Sequence, residues 1–255
     1  MIQRIEELLM NSSPSSGITI DNGFLIRYFN TSNVCTINML IPPAKDEIAS
    51  IMDRHMRKLS KHDINPYYRV VFSKEFEHLE MEMVRGGFEI SNPGLVLALN
   101  LENREKELFA FANFIEQGIF VDTGLNDEWL SDYQHLTEMH PRQRSFFEDN
   151  IQKSMLENMF FVIVDRERVI AMGYVTFIDE YMIINDLFVS PKYRNLDYGK
   201  KLLKGMLCKG LSKGIKVVIA DVQEDNLVAQ KIFKKYMRII TVERKYSRSH
   251  LDIYG

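Results

Sequence analysis

The stretch that decides the fold is Asp186-Leu-Phe-Val-Ser-Pro-Lys-Tyr-Arg-Asn-Leu-Asp-Tyr-Gly-Lys-Lys-Leu-Leu203. Its first residues close a run of β-branched and aromatic side chains that begins at Tyr181 and reads as a strand stopped by Pro191. From Tyr198 onward Leu202, Leu203, Met206, Leu207 and Leu211 share one helical face, and Gly214 ends a helix predicted over Tyr198 to Lys213. Between strand and helix lies the polar turn Arg194 to Gly199. A helix N-terminus presents unpaired N–H groups and the positive end of its dipole, so a tight turn placed there can bind phosphate through main-chain donors. Gly199 has no Cβ to hold a ligand away, and Arg194, Lys200 and Lys201 add positive charge beside it.

Outward from this turn the pattern is regular. Helices are predicted over Asp127 to Thr137, with Asn126/Asp127 as a cap signal, and over Pro141 to Glu157. Phe160 to Asp165, Val169 to Phe177 and Tyr181 to Val189 read as an antiparallel meander joined by the turns Arg166 to Arg168 and Ile178 to Glu180. Beyond the decisive helix, Lys216 to Val222 reads as a fully buried strand, Asn226 to Tyr236 as a short helix and Ile239 to Tyr246 as a last strand. The fold class is therefore α/β, with α+β character in a mixed sheet.

This order of elements resembles the GNAT superfamily, the GCN5-related N-acetyltransferases. The turn Arg194-Asn-Leu-Asp197-Tyr-Gly199 is similar to the family's Arg/Gln-x-x-Gly-x-Gly/Ala loop, which holds the pyrophosphate of an acyl-coenzyme A. Leu187-Phe188-Val189 looks like the family's splayed strand, whose main chain meets the pantetheine arm. The segment Asp225-Asn226-Leu-Val-Ala229-Gln-Lys-Ile-Phe233 resembles its Asn-x-x-Ala-x-x-x-Tyr helix, which packs on the coenzyme. What the resemblance implies is an acyl-CoA N-acyltransferase fold with acetyl-CoA as cosubstrate and no metal. Its coenzyme contacts would be Leu187, Phe188, Val189, Arg194, Asn195, Leu196, Asp197, Tyr198, Gly199, Lys200, Asn226, Ala229 and Phe233. An amine would attack the thioester directly in a ternary complex, with the Val189 N–H holding the oxyanion.

The sequence departs from that pattern at three positions. Asp197 replaces the first loop glycine, which puts a carboxylate beside the expected pyrophosphate. Phe233 stands where many relatives carry the tyrosine that protonates the leaving thiolate, and Tyr236, three residues on, is the substitute candidate. Ile183 occupies the strand position of a general-base Glu, leaving Asn185 and Asp186 as the polar side chains nearby; Asp186 is the second catalytic candidate. A catalytically degenerate GNAT that senses acyl-CoA, or a protein-interaction scaffold, is the alternative reading.

The first half repeats the theme. Ile5 to Asn11 and Ala44 to Lys61 read as helices, FLIRYF, TINMLI and YYRVVF as strands, then a helix from Glu75 closed by Gly86-Gly87 and a strand Leu95 to Leu101. Ile5 to Asn11 together with Asp21 to Arg27, and Asp127-Glu-Trp-Leu130, resemble the openings of the two repeats of bacterial tandem-GNAT proteins. The expected organisation is a degenerate N-terminal GNAT-like domain, 1–113, and a C-terminal acetyltransferase domain, 114–255, with the boundary in the ambiguous segment Glu102 to Glu116. Ile41-Pro-Pro-Ala-Lys-Asp joins strand to helix without a glycine, so that half is expected to bind no coenzyme.

Composition sets the remaining bounds. With 255 residues, 45% hydrophobic and 26% charged, the chain can build packed cores, and two units are the better prior. Its 32 basic and 35 acidic residues give a net charge of -3, which offers no global electrostatic argument for nucleic acid or anionic membrane as a partner, and neither is expected. No run reaches the roughly 18 apolar residues of a membrane span, and a cytoplasmic location is expected. Cys35 and Cys208 lack metal spacing and read as buried hydrophobes, the methionines Met139, Met155, Met159, Met172 and Met182 as core filler, and Trp129 as a helix anchor. His135, His140 and His250 have no ligand spacing. The partner expected is a small-molecule amine or peptide, in a groove between the domains and the helices Asp127 to Glu157, whose Asp132, Tyr133, Glu138, Arg142 and Arg144 are polar. A homodimer stays open.

Overall fold

The computed structural model describes residues 2–13, 15–39, 41, 47–71, 77–102, 104, 108 and 118–248. In chain order the elements are α1 (Ile2–Ser12), β1 (Gly17–Asp21), β2 (Phe24–Tyr28), β3 (Val34–Met39), α2 (Ile48–Ser60), β4 (Asn65–Val71), α3 (Glu77–Arg85) and β5 (Glu89–Asn100). They continue with β6 (Ile119–Asp122), α4 (Asp127–Thr137), α5 (Pro141–Lys153), β7 (Glu157–Asp165), β8 (Arg168–Ile178), β9 (Tyr181–Val189), α6 (Tyr198–Ser212), β10 (Val217–Gln223), α7 (Leu227–Phe233) and β11 (Arg238–Ser247). The expected boundary at 113/114, most of the ambiguous segment before it, the Pro42 to Asp46 connection and His250 lie outside the described residues.

All the strands join one mixed sheet in the order β1-β2-β3-β4-β11-β5-β10-β9-β8-β7-β6. The two halves of the chain interleave in it. Strand β5, from the first half, lies antiparallel between β10 and β11, and β11, from the end of the chain, lies antiparallel between β4 and β5. Leu95, Leu97 and Leu99 of β5 accordingly bury in the core under α6, while Tyr246 of β11 buries among Phe24, Tyr68 and Met83 of the first half. Each half thus finishes the other's sheet.

The meander β7-β8-β9 is antiparallel as its periodicity predicts, and β9 then pairs in parallel with β10. Helix α6 packs on one face of this part, with Leu202, Leu203, Met206 and Leu207 buried to 0% exposure, each worth about 1.5–3 kcal/mol. On the opposite face α1 places Ile5, Leu8 and Leu9 against Ile183, and α4 stacks Trp129 on Tyr133 at 4.6 Å between ring centroids. Asn126 caps α4 by accepting from the Trp129 N–H, and the His140 ring caps α5 with Gln143 reaching back.

Two strands escape the sequence reading. Strand β1 turns Ile18 and Ile20 to solvent, so its apolar alternation marks no buried face, although Asn22 and Gly23, both at positive φ, make the two-residue hairpin turn to β2. Strand β6 has only four residues. The expected helix to Glu157 stops at Lys153, and residues from Glu157 belong to β7. The helix expected to Tyr236 ends at Phe233. Met155 is fully exposed, not core filler, whereas Met159, Met172 and Met182 are buried.

Candidate active site

Strands β9 and β10 are paired only from Tyr181/Val217 to Ile184/Ala220. Beyond that point they separate: β9 continues on β8 alone to Val189, and β10 continues on β5 alone to Gln223. A bulge at Asn185, between Tyr174 and Val175 of β8, bends β9 away. The separation leaves main-chain groups without a ladder partner. Because the Ser190 N–H bonds back to Ile170 on the β8 side, strand alternation turns the N–H groups of Leu187 and Val189 toward the opening. The Leu187 N–H donates to Asp186 Oδ1 at 2.8 Å, so Val189 is the donor that faces the split.

A cleft of about 430 Å³ occupies this opening. Its walls are Leu187, Phe188 and Val189 of β9, the turn from Tyr193 to Lys200, and Asn226, Val228, Ala229, Lys231 and Ile232 of α7. The turn is shaped by left-handed residues, Asn195 at φ 62° and Asp197 at φ 61°, which wind the chain into the start of α6. Asp197 makes no side-chain cap bond; its carboxylate pairs with Lys200 at 2.6 Å, and Lys200, Lys235 and Lys231 hold it below the usual carboxylate range. The first N–H groups of α6, from Tyr198, therefore point at the cleft with no cap on them. Arg194 reaches back to the Val189 carbonyl and lies 5.8 Å from the Phe188 ring centre. Asn226 caps α7 through the Ala229 N–H at the cleft wall.

Most of the residues singled out in the sequence meet here, but four do not. Leu196 points to solvent at 61% exposure. Phe233 and Tyr236 are buried in the core beneath α6, since α7 ends at Phe233 and the chain folds inward before β11, so Tyr236 does not line the cleft as a proton donor. Asp186 lies on the other face of β9, where the Tyr133 hydroxyl donates to its Oδ2 and the Leu187 N–H to its Oδ1. Burial raises its pKa against those two bonds, and burial beside its charge raises Tyr133 and Tyr174 as well. Asp186 thus orients Leu187 and α4. Gly199 faces protein rather than open cleft: a Cβ there would stand 2.7 Å from Ile232 Cδ1 and 3.4 Å from Val189 Cγ2, so its role is to let α6 close on β9 and α7.

One charged group at the split was missed. Strand β10, read as wholly buried, is buried to Ala220, and then Asp221 opens to a cavity on the face opposite α6. Burial first, then the neighbouring Glu243 carboxyl, push the Asp221 carboxyl up to about 8, against Arg69 at 3.6 Å and Lys245. Glu243 is also buried, but Arg69 at 2.5 Å, Asp221 and Lys245 outweigh burial and hold it low. The available signal was a lone acid in the apolar run VVIADV.

A strand that leaves its parallel neighbour beside an uncapped helix N-terminus defines the acyl-CoA N-acyltransferase fold. Comparisons with known proteins agree. The model of the acetyltransferase (GNAT) family matches residues 124–237, and this part of the chain is a GNAT-family acetyltransferase domain. A GCN5-related N-acetyltransferase from Kribbella flavida superposes with a TM-score of 0.70 at 10% identity, over 98% of this chain and 97% of that one. A tandem GNAT protein from the clavulanic acid biosynthesis pathway gives 0.67 at 11% identity, over 96% and 86%. A GCN5-related N-acetyltransferase from Sphaerobacter thermophilus gives 0.65 at 10% identity, over 89% and 76%. These show that the fold extends across both halves. No curated protein sequence matches. Among the described residues no helix is long and apolar enough to cross a membrane.

Proposed function

We propose that the chain is an acetyl-CoA-dependent N-acetyltransferase whose coenzyme lies in the cleft between β9, the Arg194–Gly199 turn and α7. One observation carries this reading: the separation of β9 from β10 puts the Val189 N–H and the uncapped start of α6 on the same opening. The pyrophosphate would take the N–H groups of Tyr198, Gly199 and Lys200, with Arg194 and Lys231 balancing its charge. The pantetheine arm would run along Leu187 to Val189, adding a strand-like edge to β9. At the end of that arm the Val189 N–H would hold the oxyanion formed when an amine attacks the thioester carbonyl. In this reading residues 1–113 and 114–255 are two GNAT-like units that exchange β5 and β11, and only the second binds coenzyme.

Positioning supplies most of the rate in such a direct transfer, and a thiolate leaves without strong acid assistance. Phe233 and the buried Tyr236 therefore leave the reaction feasible. Calorimetric titration with acetyl-CoA tests the reading, run on the wild type and on an Arg194→Ala, Lys231→Ala double variant; the two side chains removed reach the cleft without filling packed space. Micromolar binding that is lost in the variant supports it. Absence of binding to the wild type sinks it and favours the scaffold.

A further inference from the structure

On the face opposite α6, a second cavity of about 330 Å³ borders the same strand split. Both halves of the chain build it. The end of α1 with strands β2 to β4 supplies Ser12, Ser13, Arg27, Thr36 and Arg69, and β9 and β10 supply Asn185, Asp221 and Gln223. The cleft assigned to coenzyme shares β9 with this cavity, so a molecule here would approach the thioester from the side away from the pyrophosphate.

The charges in the cavity say what it accepts. Arg27 is buried to 7% exposure and donates to the Ser13 carbonyl, yet among the described residues no carboxylate lies within ion-pair distance of it. Burial, and then the charge of Arg69, lower its pKa to about 10 against the pull of Glu6, so it stays cationic at neutral pH. Glu6 acts on it only through its charge: Glu6 Oε1 accepts from Arg69 and Asn38, and among the described residues no ion pair joins Glu6 to Arg27. The guanidinium has the Ser13 carbonyl, the Phe29 ring at 5.8 Å and the charge of Glu6 near it, none of them an anion in direct contact, and its open side is the cavity it lines. Thr36 Oγ1, also on the wall, is a buried polar atom with no partner. At the other end Asp221 has its side chain 31% exposed, and that surface opens into the cavity.

The wall carries Arg27, Arg69 and Lys245 and one acid, Asp221, which holds its proton at neutral pH; Glu6 and Glu243, behind the wall, pair with Arg69 and Lys245. Arg27 is the positive charge left over, and a carboxylate is the group that answers it. An amine on the same small molecule would reach Asp221 at the other end, which takes its proton once ionised, toward pH 8.

We propose that this cavity is the acceptor site, that the acceptor is a small amino-carboxylate with its carboxylate on Arg27, and that Asp221 is the base for its amine. The proposal rests on the coenzyme reading above. In the reaction the ammonium gives one proton to Asp221, and the nitrogen lone pair forms the C–N bond at the thioester carbonyl carbon. The C–S bond then breaks with its electron pair going to sulfur, and the second amine proton passes to that thiolate. The products are the amide, the free thiol and a proton on Asp221, which returns to water. The groups that set the basicity of Asp221 are Arg69 on β4, Glu243 and Lys245 on β11, with uncharged Asn185 and Gln223 beside it.

The test measures thiol release from acetyl-CoA with a panel of amino acids and ω-amino acids beside their matched carboxamides, in the wild type, Arg27→Gln, Arg27→Lys and Asp221→Asn. At least one amino-carboxylate is expected to turn over with a kcat/KM about tenfold or more above its carboxamide, from one charge-assisted contact. In Arg27→Gln that preference should vanish through KM, with Arg27→Lys recovering part of it. Asp221→Asn should lower kcat about 100-fold or more and remove the acidic limb of the pH profile, while acetyl-CoA still binds by calorimetry. As an independent readout, Arg27→Gln without ligand should unfold at a higher temperature than the wild type, because burial penalises that charge more than Glu6 offsets it. Equal use of acids and carboxamides, or an unchanged preference in Arg27→Gln, overturns the proposal while the coenzyme reading stands. A wild-type chain that binds acetyl-CoA but acetylates none of the panel overturns it in the same way, and one that binds no acetyl-CoA overturns both.

Discussion

Gly94 of β5 lies against the carboxylate of Asp221 on β10: a methyl group at residue 94 would stand 2.8 Å from Asp221 Oδ1. The contact is with the end of a side chain, which can turn aside. Gly94→Ala is therefore expected to cost little stability, under about 1 kcal/mol, and to rotate Asp221 away from the split. Turnover should fall about tenfold or more, since misplacing a proton-transfer group by a fraction of an ångström is enough. Urea unfolding next to steady-state kinetics checks both parts; a large stability loss with normal kcat would contradict the placement of Asp221.

Asp197 stands at the entrance to the coenzyme cleft in a left-handed conformation that glycine adopts freely. Its carboxylate also occupies Lys200, which a pyrophosphate would otherwise attract. Replacement by glycine, Asp197→Gly, is expected to tighten acetyl-CoA binding by about three- to tenfold, from loss of a like charge and relief of backbone strain. The comparison belongs at low salt, and the gain should shrink as ionic strength rises. An unchanged dissociation constant would place the pyrophosphate elsewhere.

A side chain at residue 199 meets Ile232, Val189 and Leu187, all of them packed. Gly199→Ala is expected to destabilise by about 1–3 kcal/mol through overpacking, and to weaken coenzyme binding by prising α6 from β9. Pairing it with Ile232→Val should restore part of both, because the nearest clash is with Ile232 Cδ1 at 2.7 Å. Thermal unfolding of the single and double variants measures the coupling.

The acids around Arg69 respond to pH in opposite directions. Asp221 holds its proton more tightly in the fold than in the unfolded chain, so its contribution favours the fold at low pH and is lost as pH rises from the ordinary carboxylate range to about 8. Glu243 is held low, so its contribution is present above the ordinary range and lost as pH falls toward about 2. Asp221→Asn, which cannot ionise, is expected to gain stability over the wild type as pH rises from about 5 to about 8.5. Arg69→Met should cost about 3–5 kcal/mol at neutral pH, because it strands Glu6 and Glu243 as buried charges. Denaturant unfolding at the two ends of that range tests both variants.

What the sequence determined by itself is the local part of the architecture. The run from Asp186 to Leu203 specifies a strand, a basic turn and a helix, because Pro191, Gly199 and the leucine periodicity act over a few residues. The meander before it and the helix caps at Asn126 and Asn226 are equally local, and the likeness of ordered motifs to a family extended the reading to a cleft. Only the tertiary structure decided what lies across the sheet. That β5 completes the second half and β11 the first is a matter of which long-range pairings bury most apolar surface, and the period of a strand does not name its neighbour. For the same reason Asp221, Arg27 and Gly94, far apart in the chain, carry no common sequence signal. They form a site because the folded sheet sets an acid, a guanidinium with no carboxylate at ion-pair distance among the described residues, and a missing side chain around one cavity.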